Sequence, residues 1–246
     1  MNKLFKSIAL TSLLLMSSYV NCAHAGVVIA GTRVVYPANE REITVKLSNE
    51  SKMPVLVQAW IDNGNPGEAP EQIEVPFTLT PSIFRMEPKK GQAIRVIYTK
   101  EPLPQDKESM YWLNVLEVPP KSAEDADNKM QIAFRTRIKL FFRPQKLPGS
   151  SEEAVSKVKW QVVQDEGKPG YALKATNPTA YFVNLNSIKL TTNGKSYEIN
   201  GDYISPGDMK LFPISGFSGG AGASGEVSFT AINDWGGDIT EKQKLN

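Results

Sequence analysis

Apolar and polar side chains alternate along residues 130–140, and this stretch has the clearest pattern in the chain. A period of two is typical of a β-strand with one buried and one solvated face. At about 3.3 Å per residue the pattern predicts a strand of roughly 36 Å, about twice the usual length. A small sheet does not need so long a strand, so we expect part of its edge to pair with something outside that sheet. The apolar positions are Met130, Ile132, Phe134, Ile138 and Leu140, and the polar ones are Gln131, Arg135, Arg137 and Lys139.

Further strands are predicted at residues 43–47, 55–60, 94–98 and 110–118, and Pro119-Pro120 end the last of them. Turn residues interrupt these segments at short intervals, which favours an all-β sandwich over alternating β–α–β units. Residues 152–162 fit either a helix or a strand, and the pattern alone leaves both open.

A domain boundary is predicted at residues 143–150, where two prolines and a glycine follow the long strand. Such residues end strands and form a short, stiff connector. The expected domains are residues 26–145 and 146–246. Each has about the size of one seven-stranded immunoglobulin-like sandwich, roughly 100 residues. The sequence shows no obvious repeat between the two parts.

The first twenty-five residues have the pattern of a cleavable export signal. Lys3 and Lys6 precede an apolar run at residues 8–20, and the small-residue cleavage site Ala23-His24-Ala25 follows it. The run is too short for a membrane span, so we predict an exported chain without membrane insertion. A lipid-anchored Cys22 is the alternative, although the residues before it make a poor lipoprotein signal.

Cleavage of this signal, residues 1–25, would remove the chain's one cysteine, Cys22, and its one histidine, His24. The mature chain would then have no disulfide, no thiolate nucleophile, no imidazole base and no His or Cys metal ligand. Histidine-based triads and zinc hydrolysis are excluded on this basis. Catalysis by a pair of carboxylates stays open at this point, because Asp and Glu are abundant.

The charges of the mature chain balance. The full chain has 28 basic and 26 acidic residues, and loss of the two signal lysines leaves 26 of each. A net charge of zero gives no global basic field, so we predict no nucleic-acid partner. Local asymmetry remains, because Arg135, Arg137, Lys139 and Arg143 lie close together with no acidic residue between them.

Four short motifs are spread over the whole mature chain. They read GTRVVYP at residues 31–37, LPQDKESMYWLNV at 103–115, RIKLFFRP at 137–144 and AINDWGG at 231–237. In this order they resemble the first strand of the first domain, its next-to-last strand, its end, and a late motif of the second domain in one family. That family is the periplasmic pilus-assembly chaperones of the chaperone–usher pathway.

The resemblance implies two immunoglobulin-like β-sandwich domains joined at an angle, with a cleft between them. It implies a periplasmic chaperone that folds and caps pilus subunits by lending them a strand, and then delivers them to an outer-membrane usher. Such a chaperone is not an enzyme and needs no metal, nucleotide or other cofactor. The first domain would bind the subunit and donate the strand. The short polar stretch between Pro120 and Met130 resembles the short-loop branch of the family.

The resemblance also implies three groups of functional residues. The donated apolar side chains would be Met130, Ile132 and Phe134. The basic pair that holds the subunit's C-terminal carboxylate would be Arg33 and Lys139. The charged trio that links the domains and sets their angle would be Glu108, Arg143 and Asp234. Strict alternation puts Lys139 and Phe134 on opposite faces, so we expect a bulge or twist between them.

Each group also has a simpler interpretation. The three apolar residues would otherwise pack in the core of their own domain. The basic pair would be solvated strand charges that discourage aggregation, and the trio would be unrelated surface charges of little energetic weight. For the whole protein, the second hypothesis is an immunoglobulin-like surface adhesin or carbohydrate-binding module, and the third is a carboxylate-pair glycosidase.

Overall fold

Nearly all regular structure in this computed structural model is β-strand. The structure describes residues 26–120, 132–165, 167 and 169–245. The predicted signal, residues 1–25, and the stretch 121–131, which includes Met130, lie outside these residues. Two separate β-sandwiches follow one another along the chain, so the predicted all-β fold with two sandwich domains is confirmed.

The first sandwich packs two sheets around one core. Its strands are β1 (Val27–Ile29), β2 (Arg33–Pro37), β3 (Glu42–Asn49), β4 (Val55–Asp62), β5 (Phe77–Thr80), β6 (Ile83–Met86), β7 (Gly91–Tyr98), β8 (Ser109–Val118) and β9 (Phe134–Arg143), with a 3₁₀ helix at Pro70–Gln72. The sheet orders are β1-β3-β7-β5 and β2-β9-β8-β4-β6. Tyr36, Leu113, Leu140 and Phe142 lie between the sheets and are almost fully buried.

The second sandwich has its own core, centred on Trp160 and Phe229. Its elements are α1 (Ser151–Ser156), β10 (Lys159–Gln164), β11 (Tyr171–Thr176), β12 (Val183–Thr192), β13 (Lys195–Asn200), β14 (Tyr203–Ile204), β15 (Met209–Pro213), β16 (Glu226–Ile232) and β17 (Asp238–Lys244). The sheet orders are β10-β11-β15 and β13-β12-β16-β17, and β14 pairs with β12.

The stretch that fitted either a helix or a strand contains both. The helix α1 begins after Ser150, whose side-chain oxygen accepts a hydrogen bond from the backbone N–H of Glu153 at 3.1 Å, as expected of an N-cap. Strand β10 follows after two residues, and its alternate side chains Trp160 and Val162 enter the core.

Both sandwiches contain the same asparagine-centred corner, which lies at the end of β3 in the first and directly after β11 in the second. The side-chain oxygen of Asn49 accepts from the backbone N–H and the hydroxyl of Ser51, at 3.0 and 2.7 Å. The side-chain oxygen of Asn177 accepts from the same two groups of Thr179, at 3.1 and 2.7 Å. Each amide nitrogen donates to backbone carbonyls of neighbouring segments of the chain. Both asparagines are fully buried, so each corner is a closed hydrogen-bonded unit.

Candidate functional site

Strand β9 has one edge that is fully paired and one that is half free. β8 pairs with it from Glu117 opposite Phe134 to Ser109 opposite Phe142. On the other edge, the parallel strand β2 pairs only with residues 139–143. Residues 134–138 therefore have no partner strand on that edge within the described part of the chain. An unpaired edge of this kind is a template for the addition of another strand.

The strand begins later than its sequence pattern predicts. It starts at Phe134, whereas the alternation extends the strand back through Ile132 to Met130. The prediction is wrong at Ile132, which precedes the strand, and Met130 lies outside the described residues. The partner strand β8 ends at Val118, and the two prolines that follow have no backbone N–H with which to continue the ladder.

The apolar residues of this segment divide into two kinds. Ile132 and Phe134 are 57 % and 64 % exposed, so they do not pack in the core of their own domain. Ile138 and Leu140, farther along the strand, are buried in that core. The start of β9 therefore combines exposed apolar side chains with an unpaired backbone edge.

No bulge separates Phe134 from Lys139. The β8–β9 ladder keeps one register over its whole length, so the prediction of a bulge is wrong. Ile138, Leu140 and Phe142 share the face of Phe134 and enter the core, whereas Lys139 lies on the opposite face. The predicted groove filling by Phe134 and the predicted carboxylate binding by Lys139 therefore use opposite faces of β9, and a regular strand allows both.

Lys139 reaches from β9 to the second domain. Its Nζ donates a hydrogen bond to the side-chain oxygen of Asn184 at 2.7 Å. Burial lowers the pKa of Lys139 to about 8. Asp202 opposes this shift, and the positive charges of Arg33 and Lys210 add to it. A partly buried cation without a close counter-charge favours an incoming anion.

Arg33 lies directly beside Lys139, because the two residues are partners in the β2–β9 ladder. Its Nη1 donates to the backbone oxygen of Ile232 in the second domain at 2.8 Å. Its buried Nε has no hydrogen-bond partner within the described part of the chain. A buried donor without an acceptor is unfavourable, so a further acceptor at this position would stabilise the site. The structure thus brings the predicted basic pair together in the cleft, where both could bind one carboxylate.

An open cavity of about 590 Å³ adjoins Arg33. Ala30, Val35 and Pro37 provide apolar parts of its wall, and Trp235 from the second domain, whose side chain is highly exposed, lies at it as well. This volume is within the range of peptide- and ligand-sized pockets. The cleft therefore has room beside Arg33 for the end of a polypeptide chain.

Glu108, Arg143 and Asp234 meet between the two domains. Arg143 donates from Nε to Glu108 at 2.6 Å, and from both terminal nitrogens to Asp234 at 2.7 and 3.0 Å. Glu108 is only 4 % exposed and also accepts from the backbone N–H of Phe182 in the second domain at 2.8 Å. Burial raises the pKa of Glu108. For Asp234 burial acts in the same sense, but hydrogen bonds from Arg143 outweigh it and hold the pKa below its usual value. The interpretation as unrelated surface charges does not apply to this trio.

The basic cluster of β9 has an acidic partner that sequence analysis missed. Asp62, at the end of β4, is fully buried and accepts two hydrogen bonds from Arg137. Burial alone would raise the pKa of Asp62, but hydrogen bonds from Arg137, Asn114 and the backbone of Gly64 keep it below its usual value. Asp62 lies two strands away from β9 in the sheet and far from it in the sequence, so the local charge pattern around Arg137 does not reveal it.

The cleft offers charge, hydrogen bonds and apolar surface. No group of three or more His, Cys, Asp or Glu side chains in the described ranges is placed to hold a metal ion. No helix there is long and apolar enough to cross a membrane. A basic pair, a free strand edge and exposed apolar side chains are together the features of a peptide-binding surface.

Comparison with known proteins covers both halves of the chain. Residues 26–148 match the family described as "Pili and flagellar-assembly chaperone, PapD N-terminal domain", and residues 150–243 match "Pili assembly chaperone PapD, C-terminal domain". The chain is 44 % identical over 225 residues to the probable fimbrial chaperone YadV of Escherichia coli K12, covering 90 % of each chain. It is 40 % identical over 231 residues to the chaperone protein FimB/FhaD of Bordetella pertussis, covering 91 % of this chain and 89 % of that protein.

Solved structures have the same architecture. The YadV chaperone superposes with a TM-score of 0.77 at 40 % identity, covering 90 % of this chain and all of that one. A Salmonella enterica structure of the SafA pilin in complex with the SafB chaperone matches with a TM-score of 0.74 at 27 % identity, covering 91 % and 98 %. These matches do not favour an adhesin or a carbohydrate-binding module. With both domains matched and relatives this similar over nine-tenths of its length, the chain belongs to the pilus-assembly chaperones of the chaperone–usher pathway.

Proposed function

We propose that this pilus-assembly chaperone caps a pilus subunit by adding the free edge of β9 to the subunit's incomplete sheet. One observation carries the proposal: among the described residues, 134–138 have no strand partner on one edge, and Phe134 and Ile132 are exposed beside them. Backbone hydrogen bonds then hold the pairing and alternate side chains fill the groove, a mode of recognition for which pilus chaperones are a standard example. Met130 is the third donated side chain in this proposal.

The basic pair fixes the direction of the subunit's strand. If Arg33 and Lys139 hold the subunit's C-terminal carboxylate, its last strand ends where β2 begins. The strand then extends back along residues 138–134, in line with β2 and therefore parallel to β9. Fixing the chain end also sets the register, and a slip of one residue would turn each apolar side chain to the wrong face.

The proposed partner and compartment follow from the family. The Salmonella relative was solved with a pilin bound, which supports pilus subunits as partners of this chain. We infer that the chain acts in the periplasm after loss of residues 1–25, and that it delivers its subunits to an outer-membrane usher. The proposed domains remain residues 26–145 and 146–246, and the stretch between Pro120 and Met130 is assigned to the short-loop type.

No catalysis is proposed. Exchange of the chaperone's strand for a better-fitting one supplies the free energy of assembly, so neither a nucleotide nor another cofactor is required. The trio of Glu108, Arg143 and Asp234 has a supporting role, because it holds the two walls of the cleft at a fixed angle while the subunit is bound.

Lys139→Ala is expected to remove most of the affinity for a subunit and to leave the chaperone folded. The variant loses a hydrogen bond to a charged group in the complex, which is worth about 1.5–3 kcal/mol, or roughly 10–150-fold in affinity. The free chaperone loses a cation whose burial already disfavours its charge, so little stability is lost. Titration with a synthetic peptide of the subunit's last strand measures the first effect, and thermal melting measures the second.

Two controls make this test specific. Lys189→Ala removes a lysine that is about half exposed on β12, and it should bind the peptide as the wild type does. A peptide whose C-terminal carboxylate is amidated should bind the wild type as weakly as the acid form binds Lys139→Ala. Unchanged affinity of Lys139→Ala for the acid peptide would contradict the anchor role.

Subunit affinity is expected to fall as the pH rises above about 8. Lys139, with a pKa of about 8 in the free chaperone, then loses the proton that a bound carboxylate requires. Affinity should be level below about pH 7 and decline by up to about tenfold per pH unit above 8. Peptide titrations at several pH values test this. An equal decline in Lys139→Ala would assign the effect to another group.

The contribution of Lys139 to the free energy of unfolding of the free chaperone should rise with pH, whereas subunit affinity should fall. Both effects come from the loss of the Lys139 proton. The pKa of Lys139 is lower in the folded chain than the value of about 10.4 for an unfolded lysine. At a pH between these two pKa values, Lys139 binds more protons in the unfolded chain than in the folded one. Its contribution to the free energy of unfolding therefore rises with pH in this range. Comparing melting curves of the wild type and Lys139→Ala at pH 7.5 and 10 isolates this contribution.

A further inference from the structure

The reverse face of the free half of β9 is attached to two other strands. Asp62 of β4 accepts hydrogen bonds from Nε and Nη2 of Arg137 at 2.9 and 2.5 Å. Asn114 of β8 donates to the same carboxylate at 2.8 Å, and its side-chain oxygen accepts from Nε of Arg135 at 2.9 Å. The network therefore runs from β4 across β8 to both basic residues of the free half of β9.

Two tryptophans and a loop complete the network. The guanidinium carbon of Arg137 lies 4.1 Å from the ring centroid of Trp112, and that of Arg135 lies 4.8 Å from the ring centroid of Trp60. Arg135 also donates to the backbone oxygen of Pro66, in the loop after β4, at 2.7 Å. A planar guanidinium can stack on an indole while its N–H groups bind in the plane. Both arginines are thus fixed by two kinds of contact.

These contacts fall on the part of β9 that lacks a second strand partner. Residues 139–143 lie between β8 and β2, whereas residues 134–138 pair with β8 alone in the described structure. A segment held by one ladder opens more readily than one held by two, because few contacts offset its conformational entropy. The network restrains the segment from its reverse face and leaves the edge free.

We propose that Asp62 is a positioning residue for strand donation. Through Arg137, Asn114 and Arg135 it keeps residues 134–138 extended before a subunit arrives. The proposal rests on the proposed function and adds how the donor edge is prepared for it. A strand that is already ordered loses less conformational entropy on binding than one that orders on contact. Phe134 then meets the subunit groove with its register already set.

Asp62→Asn tests the proposal, because it removes the charge with almost no change in size. Amide hydrogen exchange in the free variant is expected to accelerate at those amides of residues 135–138 that pair with β8, while residues 140–142, which lie between two strands, keep their protection. Affinity for the peptide of the subunit's last strand should fall about tenfold for each residue that loses its order, since ordering one residue's backbone corresponds to about that factor.

Val45→Ala is the matched control. Val45 is buried in β3, in the opposite sheet of the same domain, so its truncation lowers stability without removing any bond of the network. This control should keep the protection of residues 135–138 relative to the rest of the first domain and bind the peptide normally. The proposal is overturned if Asp62→Asn, like Val45→Ala, changes exchange uniformly over the first domain and binds the peptide as tightly as that control.

A second variant and a second readout keep the test decisive. If Asp62→Asn does not accumulate, Arg137→Lys retains the charge but loses the two-pronged hydrogen bond, and the same local exchange is expected. Normal protection of residues 135–138 in Arg137→Lys would overturn the proposal. If the wild type binds no subunit peptide, the proposed function fails, whereas the exchange comparison still decides whether Asp62 orders the strand.

Discussion

Phe134→Glu is expected to eliminate capture of a pilus subunit and to leave the melting temperature of the free chaperone within about 2 °C of the wild type. Phe134 is 64 % exposed, and surface substitutions change stability by about 0.5 kcal/mol or less. In the complex, the lost burial and the charge forced into an apolar groove together cost roughly 4 kcal/mol or more, about a thousandfold in affinity. Calorimetric melting and peptide titration measure the two effects.

Ile83→Glu is the matched control for this substitution. Ile83 is 59 % exposed on β6, three strands from β9 in the same sheet, so the same charge is introduced on a surface away from the free edge of β9. This control should bind the subunit peptide as the wild type does. Strand donation would lose its main support if Phe134→Glu unfolded or melted far below the control, because Phe134 would then belong to the core of its own domain.

Arg143→Ala is expected to lower the melting temperature by about 10 °C and to loosen the hinge between the domains. The substitution leaves Glu108, which is 4 % exposed, facing Asp234 without a counter-charge. Loss of one member of a buried charge network costs about 3–5 kcal/mol, and in a chain of this size each kcal/mol shifts melting by about 2–4 °C. Arg143 keeps 23 % of its side chain exposed, so water reaches the network and places the effect in the lower part of that range.

Solution X-ray scattering measures the second effect, because a looser hinge broadens the distribution of distances between the domains. Arg95→Ala is the control, since its ion pair with Glu42 is about half exposed and is worth little. Scattering and melting curves of Arg143→Ala that match those of this control would show that the trio does not set the domain angle.

The strands with a regular pattern were predictable because the face of each side chain depends only on its position in the strand. Predicted segments 43–47, 55–60, 94–98 and 110–118 correspond to β3, β4, β7 and β8, with differences of at most three residues at their ends. The fold class followed from this spacing together with the motif resemblance, which also placed the basic pair and the charged trio. The structure brings both groups together.

Features that depend on distant partners were not predictable. The start of β9 depends on where β8 ends, and the prolines that end β8 lie outside the alternating pattern. The expected bulge rested on the assumption that Phe134 and Lys139 must share a face, and the unbroken register shows that they do not. Asp62 reaches Arg137 only because β8 lies between their strands, so no local charge pattern contains this pair.

The asparagine corner of the first domain has a consequence for producing this protein in other cells. Asn49-Glu50-Ser51 is an acceptor sequence for N-linked glycosylation in eukaryotic secretory compartments. The glycan would attach to a buried nitrogen that donates to the backbone oxygens of Met53 and Met86, so glycosylation and closure of the corner exclude each other. A glycosylated chain would therefore lack the closed corner at Asn49 in its first domain. A bacterial host without this glycosylation would not prevent the corner from closing. In the second domain Asn177 precedes a proline, which blocks the acceptor sequence, so that corner closes in either host.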